Sequence, residues 1–298
     1  MAGPIVSAPL PIDVVLGDVR NALRTHGTGV LVAAPGAGKT TRVPLALLDE
    51  PWRDGGKIIV LEPRRIAARA AAERLAATLG TRLGDRVGLR ARLASKTSAN
   101  VAIEVVTEGV FTRMILDDPE LSGVAAVLFD EFHERSLDAD LGLALALDTR
   151  GALRPDLKIL VMSATLEASR VAKLLGDAPV IASDGRTFPI ETRHIGRRAQ
   201  RIEDDVVDAV RRALERDTGS ILVFLPGQGE ITRVADRLHA LDLPQTIDIA
   251  PLYGALDPAT QDRAISPANS GHRKIVLATS IAETSITIEG VRVVIDSG

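Results

Sequence analysis

The chain has 298 residues, 46% of them apolar and 25% charged, with a net charge of −3 and no cysteine. That length suits two domains better than one, and the absence of cysteine excludes disulfides and thiolate metal sites. A near-balanced charge excludes a protein that binds polyanions through its bulk, so any nucleic-acid contact must come from local basic clusters.

In chain order, the N-terminus carries no basic segment leading into an apolar core, and no stretch approaches the length of a membrane span. The expectation is a cytoplasmic protein with no membrane segment. Apolar, β-rich runs at Gly29 to Ala34, Lys57 to Glu62, Val101 to Thr107, Ala125 to Phe129 and Lys158 to Met162 predict a first series of strands. Between them, Pro63 to Leu79 and Leu137 to Leu147 are rich in Ala and Leu and read as helices. The polar stretch Ser183 to Arg201 follows, and then a second strand series at Ile221 to Leu225, Asp248 to Leu252, Lys274 to Thr279 and Val291 to Ile295. Strands alternating with helices predict parallel βαβ units. The boundary is placed near Asp184, giving domains 1–184 and 185–298.

Two motifs carry chemistry. Ala33-Ala34-Pro35-Gly36-Ala37-Gly38-Lys39-Thr40 lies between a predicted strand and a predicted helix, the setting in which a glycine-rich loop cradles phosphates. Gly36, Ala37 and Gly38 let backbone N–H groups crowd a phosphate, Lys39 reaches the β and γ phosphates, and the Thr40 hydroxyl is a Mg²⁺ ligand, with Thr41 beside it. Ala33 stands where the usual pattern has its first glycine. The second motif, Leu128-Phe129-Asp130-Glu131-Phe132-His133-Glu134-Arg135, ends an apolar strand on two adjacent acids. Asp130 is the expected Mg²⁺ holder, through water, and Glu131 the residue that polarises the attacking water. Together the two motifs indicate ATP hydrolysis with Mg²⁺. His133, directly after the acids, is the candidate link between nucleotide state and a neighbouring domain. Ser163-Ala164-Thr165, ending a later strand, offers hydroxyls for the same coupling.

Seven segments occur in the order found in one family: the phosphate loop, Pro63-Arg64-Arg65, Thr107-Glu108-Gly109, Asp130 to His133, Ser163 to Thr165, Phe224-Leu225-Pro226-Gly227 and Ala278 to Ser285. In this the chain resembles the N-terminal part of a superfamily 2 helicase of the DEAH/RHA group, and Phe132 within Asp-Glu-Phe-His-Glu-Arg is similar to the bacterial HrpB-type branch. The resemblance implies an α/β fold of two RecA-like P-loop NTPase domains with parallel sheets, the second incomplete, with ATP and Mg²⁺ as cofactors. It implies single-stranded RNA or DNA as partner, with a lean to RNA and 3′-to-5′ movement, and no motif specifies an activating protein. Arg64, Thr107, Gly109, Thr279 and Ser280 fall where the family touches the nucleic-acid backbone, Ser280 replacing the usual Asn, and Arg90 and Arg92 match a strand-guiding loop. Arg74 takes the family's adenine-stacking position, faced here by Ile265 where relatives often carry an aromatic ring. Glu283 and Asp296 match positions near the nucleotide and its attacking water.

Two features shape the expected activity. The chain holds seven aromatic residues, too few for a base-stacking groove, so binding should follow phosphates and sugars and weaken with salt. Relatives also carry a Gln-Arg-x-Gly-Arg-x-Gly-Arg segment that these 298 residues lack, which leads to the expectation of a fragment that binds ATP, hydrolyses it poorly and does not unwind a duplex by itself. The alternatives are a P-loop ATPase serving a partner other than nucleic acid, and a nucleotide-gated binding module without turnover.

Overall fold

The computed structural model describes residues 9–92, 94–165, 168–184, 189–196, 201–283 and 288–298. Two units divide the chain, Met1–Phe188 and Pro189–Gly298. In the first, the elements run α1 (Leu16–Thr25), β1 (Thr28–Ala33), α2 (Lys39–Ala46), β2 (Lys57–Glu62), α3 (Arg65–Thr78), β3 (Val87–Ala91), β4 (Ala94–Lys96) and β5 (Ile103–Thr107). They continue with α4 (Glu108–Asp117), β6 (Val124–Phe129), α5 (Leu137–Ala152), β7 (Lys158–Ser163), α6 (Ala168–Leu174) and β8 (Val180–Ser183). The strands form one sheet in the order β4-β3-β5-β2-β6-β7-β1-β8. All its pairings are parallel except the β3–β4 hairpin.

This sheet is buried on both faces, which explains why its central strands are continuous apolar runs. All six residues of β1 and all six of β6 are buried. Alternation along each strand sorts the side chains into two cores. Leu31, Ile58, Val60, Leu128 and Leu160 pack with Val19, Leu23, Ala72 and Leu75 from α1 and α3. Val30, Ile59, Leu61, Val127 and Ile159 pack with Phe111 and Ile115 of α4 and Leu143 and Ala146 of α5. The small residues of α3 let it lie close to the sheet: Ala67, Ala68, Ala71, Ala72 and Ala76 are all buried.

Helix α5 follows the acid motif and is started by Ser136, whose hydroxyl accepts from the Ala139 N–H at 2.9 Å and donates to Glu108. Substituting Ser136 by Ala is expected to cost about 1 kcal/mol, the usual value of an N-cap. A denaturant titration reading a midpoint shift without a change in slope would check this; an unchanged midpoint would mean the cap contributes nothing.

The second unit is described by itself. It contains α7 (Ile202–Arg216), β9 (Ser220–Phe224), α8 (Gln228–His239), β10 (Ile247–Leu252), α9 (Pro258–Ile265), β11 (Arg273–Ala278) and β12 (Val291–Asp296). Its sheet runs β10-β11-β9-β12, all parallel, over a core that includes Val206, Val210, Ile221, Val223, Ile275 and Leu277.

Candidate active site

In an open parallel sheet, ligands sit outside the carboxyl ends of the strands, where helix N-termini point N–H groups outward. The motifs of the first unit collect at that end, on the adjacent strands β5, β2, β6, β7 and β1. The loop after β1 turns through two glycines in the left-handed region, Gly36 at φ 75° and Gly38 at φ 100°. At residue 38 a side chain would also collide, because an added Cβ would lie 2.6 Å from Leu10 Cδ1. Ala37 is buried, and its carbonyl accepts from the Ile12 N–H at 3.2 Å, so the N-terminal segment braces the loop from behind.

Lys39 opens α2 and is 4% exposed. Its ammonium donates to the Ala33 carbonyl at 2.9 Å and the Ala34 carbonyl at 3.4 Å, both in the same loop. Next to it, the Thr40 hydroxyl donates to Asp130 Oδ2. Thr41 Oγ1 lies 3.5 Å from the Gly38 carbonyl and belongs to the helix start.

Asp130 follows β6, is buried, and is fixed twice: its N–H donates to the Leu61 carbonyl at 3.1 Å, and its Oδ1 accepts from the Glu131 N–H at 2.8 Å. Glu131 is in the left-handed region at φ 47°, as is Arg135 at φ 48°, and the two bracket a 3-10 turn over Phe132–Glu134. Such backbone in a non-glycine residue costs free energy and collects at functional positions. Burial pushes the Glu131 carboxyl up to about 7, and the Asp130 charge adds to this while Lys39 opposes it. Asp130 is raised as well, by burial, against the Thr40 hydrogen bond and Lys39.

A third acid that sequence reasoning missed stands beside this pair. Glu62, the last residue of β2, is 2% exposed, and its carboxyl is held well above the usual range by burial and by Asp130, Glu131 and Glu134. Its Oε2 has no hydrogen-bond partner among the described residues. The available signal was an acid ending a buried strand, one residue before Pro63-Arg64-Arg65.

The His133 Nδ1 lies 3.3 Å from the Ala164 N–H and 3.4 Å from Glu131 Oε2. One nitrogen cannot both accept from Ala164 and donate to Glu131. Burial and the nearby Lys39 lower the His133 pKa, so the ring is neutral, Nδ1 is the acceptor, and the approach to Glu131 is a contact rather than an ion pair. The Ser163-Ala164-Thr165 turn is thus tied to the acid motif through the backbone of its middle residue. The two hydroxyls lie 3.5 Å apart, with the Thr165 N–H donating to Ser163 Oγ at 3.2 Å.

The remaining predicted residues divide. Arg64 precedes α3 and lies 3.4 Å from Glu134, which connects it to the acid motif. Thr107 ends β5 opposite Glu62, and Gly109 is in the first turn of α4, with an added Cβ 3.4 Å from Asp138. Arg74 is on the exposed face of α3. Arg90 is bonded to the buried Glu104 at 2.8 Å, whereas Arg92 is exposed. In the second unit Thr279 and Ser280 follow β11, Glu283 caps the short turn after them, and Asp296 ends β12, its Oδ1 accepting from the Gly298 N–H at 3.0 Å. Thr284 and Ser285 of the last motif lie outside the described residues.

Do these residues fit a magnesium nucleotide? Thr40 and Asp130, from separate elements, bring two hard oxygen ligands together, and the neighbouring Glu62 and Glu131 carboxyls are raised first by burial and then by nearby negative charge, which a cation would offset. No group of three or more metal-ligating side chains occurs among the described residues. Mg²⁺ is usually held by one or two protein oxygens, water and substrate phosphates, a number that Thr40 and Asp130 can supply.

Residues 18–174 match the DEAD/DEAH box helicase family and residues 205–298 the helicase conserved C-terminal domain. The chain is 52% identical, over 96% of its length, to the ATP-dependent RNA helicase HrpB of Escherichia coli, covering 35% of that protein. It is 37% identical to the E. coli ATP-dependent RNA helicase HrpA, over its whole length and 23% of that protein. The crystal structure of the E. coli DEAH/RHA helicase HrpB superposes on 96% of this chain with a TM-score of 0.88, at 52% identity and over 36% of the HrpB chain. The chain therefore spans about a third or less of the length of these relatives. With a helicase family match over more than half its residues and two parallel-sheet RecA-like units, the chain belongs to the DEAD/DEAH box helicases.

Proposed function

We propose that this chain is the ATP-driven motor portion of a cytoplasmic RNA helicase, coupling ATP hydrolysis to 3′-to-5′ movement along a single strand. The observation that carries the reading is the bond from Thr40 of the phosphate loop to Asp130 of the acid motif, with Glu131 beside it at a pKa of about 7. Mg²⁺ would supply charge neutralisation at the β and γ phosphates. Gly36, Ala37 and Gly38 would present backbone N–H groups to the phosphates, the Ala37 N–H leaving the Ala34 carbonyl it meets at 3.2 Å, and the Lys39 ammonium would move to them from the loop carbonyls. Thr40 and Asp130 would hold the cation, and Glu131 would take the proton of the attacking water. Neutral His133 joins this motif to the Ser163–Thr165 turn, which supports a role for Ser163 and Thr165 in coupling. Arg74, Glu283 and Asp296 are assigned to nucleotide contact, and Arg64, Arg90, Arg92, Thr107, Gly109, Thr279 and Ser280 to the nucleic-acid side, by their place in the family's motif order. The domains are assigned as 1–184 for nucleotide binding and 185–298 for the C-terminal helicase unit.

The test is steady-state ATP hydrolysis with and without single-stranded RNA, and with single-stranded DNA in parallel. Stimulation by RNA that is indifferent to sequence and falls steeply with added salt is expected, because phosphate contacts release counterions. Brisk hydrolysis unaffected by either polymer would replace the helicase with an ATPase serving another client.

A further inference from the structure

The hairpin formed by β3 and β4 extends the first unit's sheet at one edge. Its return strand is only three residues, Ala94–Lys96, and all three are exposed. So short an edge strand is held weakly by its ladder alone. Ala91 pairs with Ala94, so Arg92 sits in the connecting turn, exposed and without a hydrogen bond or ion pair among the described residues. Because β3 runs parallel to β5, that turn leaves the sheet at the same end as Thr107.

One buried carboxylate ties this hairpin to the sheet. Glu104, on β5, is 1% exposed. Its Oε1 accepts from Arg90 Nε at 2.8 Å on the outgoing limb and from Thr97 Oγ1 at 3.0 Å just past the returning limb. Its Oε2 faces Lys57 Nζ at 3.8 Å. Gly88 opens the space this needs, since a Cβ there would lie 3.3 Å from Thr97 Oγ1 and 3.1 Å from Val101. Charged hydrogen bonds at a desolvated carboxylate are strong and directional. Arg90, half-buried, is thereby tied through its Nε to Glu104, and Arg92 is left to face outward.

We infer that Glu104 is a positioning residue for nucleic-acid binding, clamping both limbs of the hairpin so that Arg92 is presented to the backbone of the strand while Arg90 serves as an anchor. The inference rests on the proposed helicase reading, in which the hairpin guides the strand.

The test is anisotropy with a short fluorescein-labelled single-stranded RNA of mixed sequence, using this chain and the variants Arg92→Ala, Glu104→Ala, Glu104→Gln, Thr97→Val and Glu104→Ala with Arg92→Ala. Arg92→Ala is expected to weaken RNA binding roughly tenfold, the size of one charge-assisted contact, and to lower the salt slope by about 0.7. Glu104→Ala should produce a similar loss of affinity and slope, and the double variant should be no weaker than Arg92→Ala. Glu104→Gln keeps an acceptor for Arg90 and Thr97 and should restore most of the affinity. Affinity for a fluorescent ATP analogue should be unchanged throughout, which separates positioning from general damage to the fold. If Glu104→Ala does not fold, Thr97→Val, which removes a single bond from an exposed residue, still has to weaken RNA binding severalfold. Additive losses in the double variant, unaltered binding in Glu104→Ala or Thr97→Val, or tighter binding once Arg90 is released would each overturn the inference. No loss from Arg92→Ala would instead remove the strand-guiding role of the hairpin, and the inference with it.

Discussion

A Glu131→Gln chain is expected to bind ATP with Mg²⁺ at least as tightly as the parent and to hydrolyse it about 10²- to 10⁴-fold more slowly, the range that loss of a positioned general base produces. The amide keeps the size of the carboxyl and leaves the left-handed turn at residue 131 in place, but it cannot take a proton from water. Binding should not suffer, because the substitution removes one negative charge from a crowded set of acids that the nucleotide phosphates would otherwise face. Lys39→Ala should behave in the opposite way. The ammonium is the cation that the loop holds ready, 4% exposed and bonded to Ala33 and Ala34, and its loss should weaken ATP binding itself. Titration with a fluorescent ATP analogue, followed by single-turnover hydrolysis, separates the two cases. An equal fall in nucleotide affinity in both variants would remove Glu131 from the role of base.

Why Glu131 could be singled out from sequence, and Glu62 not, is a matter of what a linear pattern encodes. The central strands were legible because a parallel sheet covered on both faces demands unbroken apolar runs, and the phosphate loop and acid pair were legible because each lies within a few consecutive residues. Glu62 becomes part of the site only through the strand order β5-β2-β6, which sets the end of β2 beside the end of β6. The Ala164 N–H that meets His133 belongs to the backbone and has no residue signature at all. Strand β4 escaped detection because its three residues are exposed and carry no alternation, and β8 because its four residues are too few to show a period. Arg90 and Arg92 are two residues apart and read alike in sequence. They part company only in three dimensions, where Glu104, distant in the chain, claims one of them.

The acids gathered at this end of the sheet, buried and close together, should be a burden on the protein when no cation is bound. Between about pH 5 and pH 8, with neither nucleotide nor Mg²⁺ present, thermal stability is expected to fall as pH rises. The sign follows from the direction of the shifts. Glu131 has its folded-state pKa raised from 4.5 to about 7, and Glu62, Asp130 and Glu108 are raised too, burial being the first cause in each case. Across that interval the folded state holds more protons than the unfolded chain, so stability present below the unfolded values is lost as pH passes through the folded ones. For Glu131 alone the loss is roughly 3 kcal/mol. His133 acts in the opposite direction, since its folded pKa is lowered, but it is one group against four. Melting at several pH values should therefore show a lower transition near pH 8 than near pH 5.5, and Glu131→Gln and Glu62→Gln should each flatten the curve by raising the value at pH 8. Added Mg²⁺ with ATP should stabilise more at pH 8 than at pH 5.5, because the cation takes up the repulsion that protons otherwise relieve. A parent curve that instead rises steadily from pH 5.5 to pH 8 would mean that these carboxyls ionise at no cost. The cation would then have no repulsion to relieve, and its attraction to this end of the sheet would rest on Thr40 and Asp130 alone.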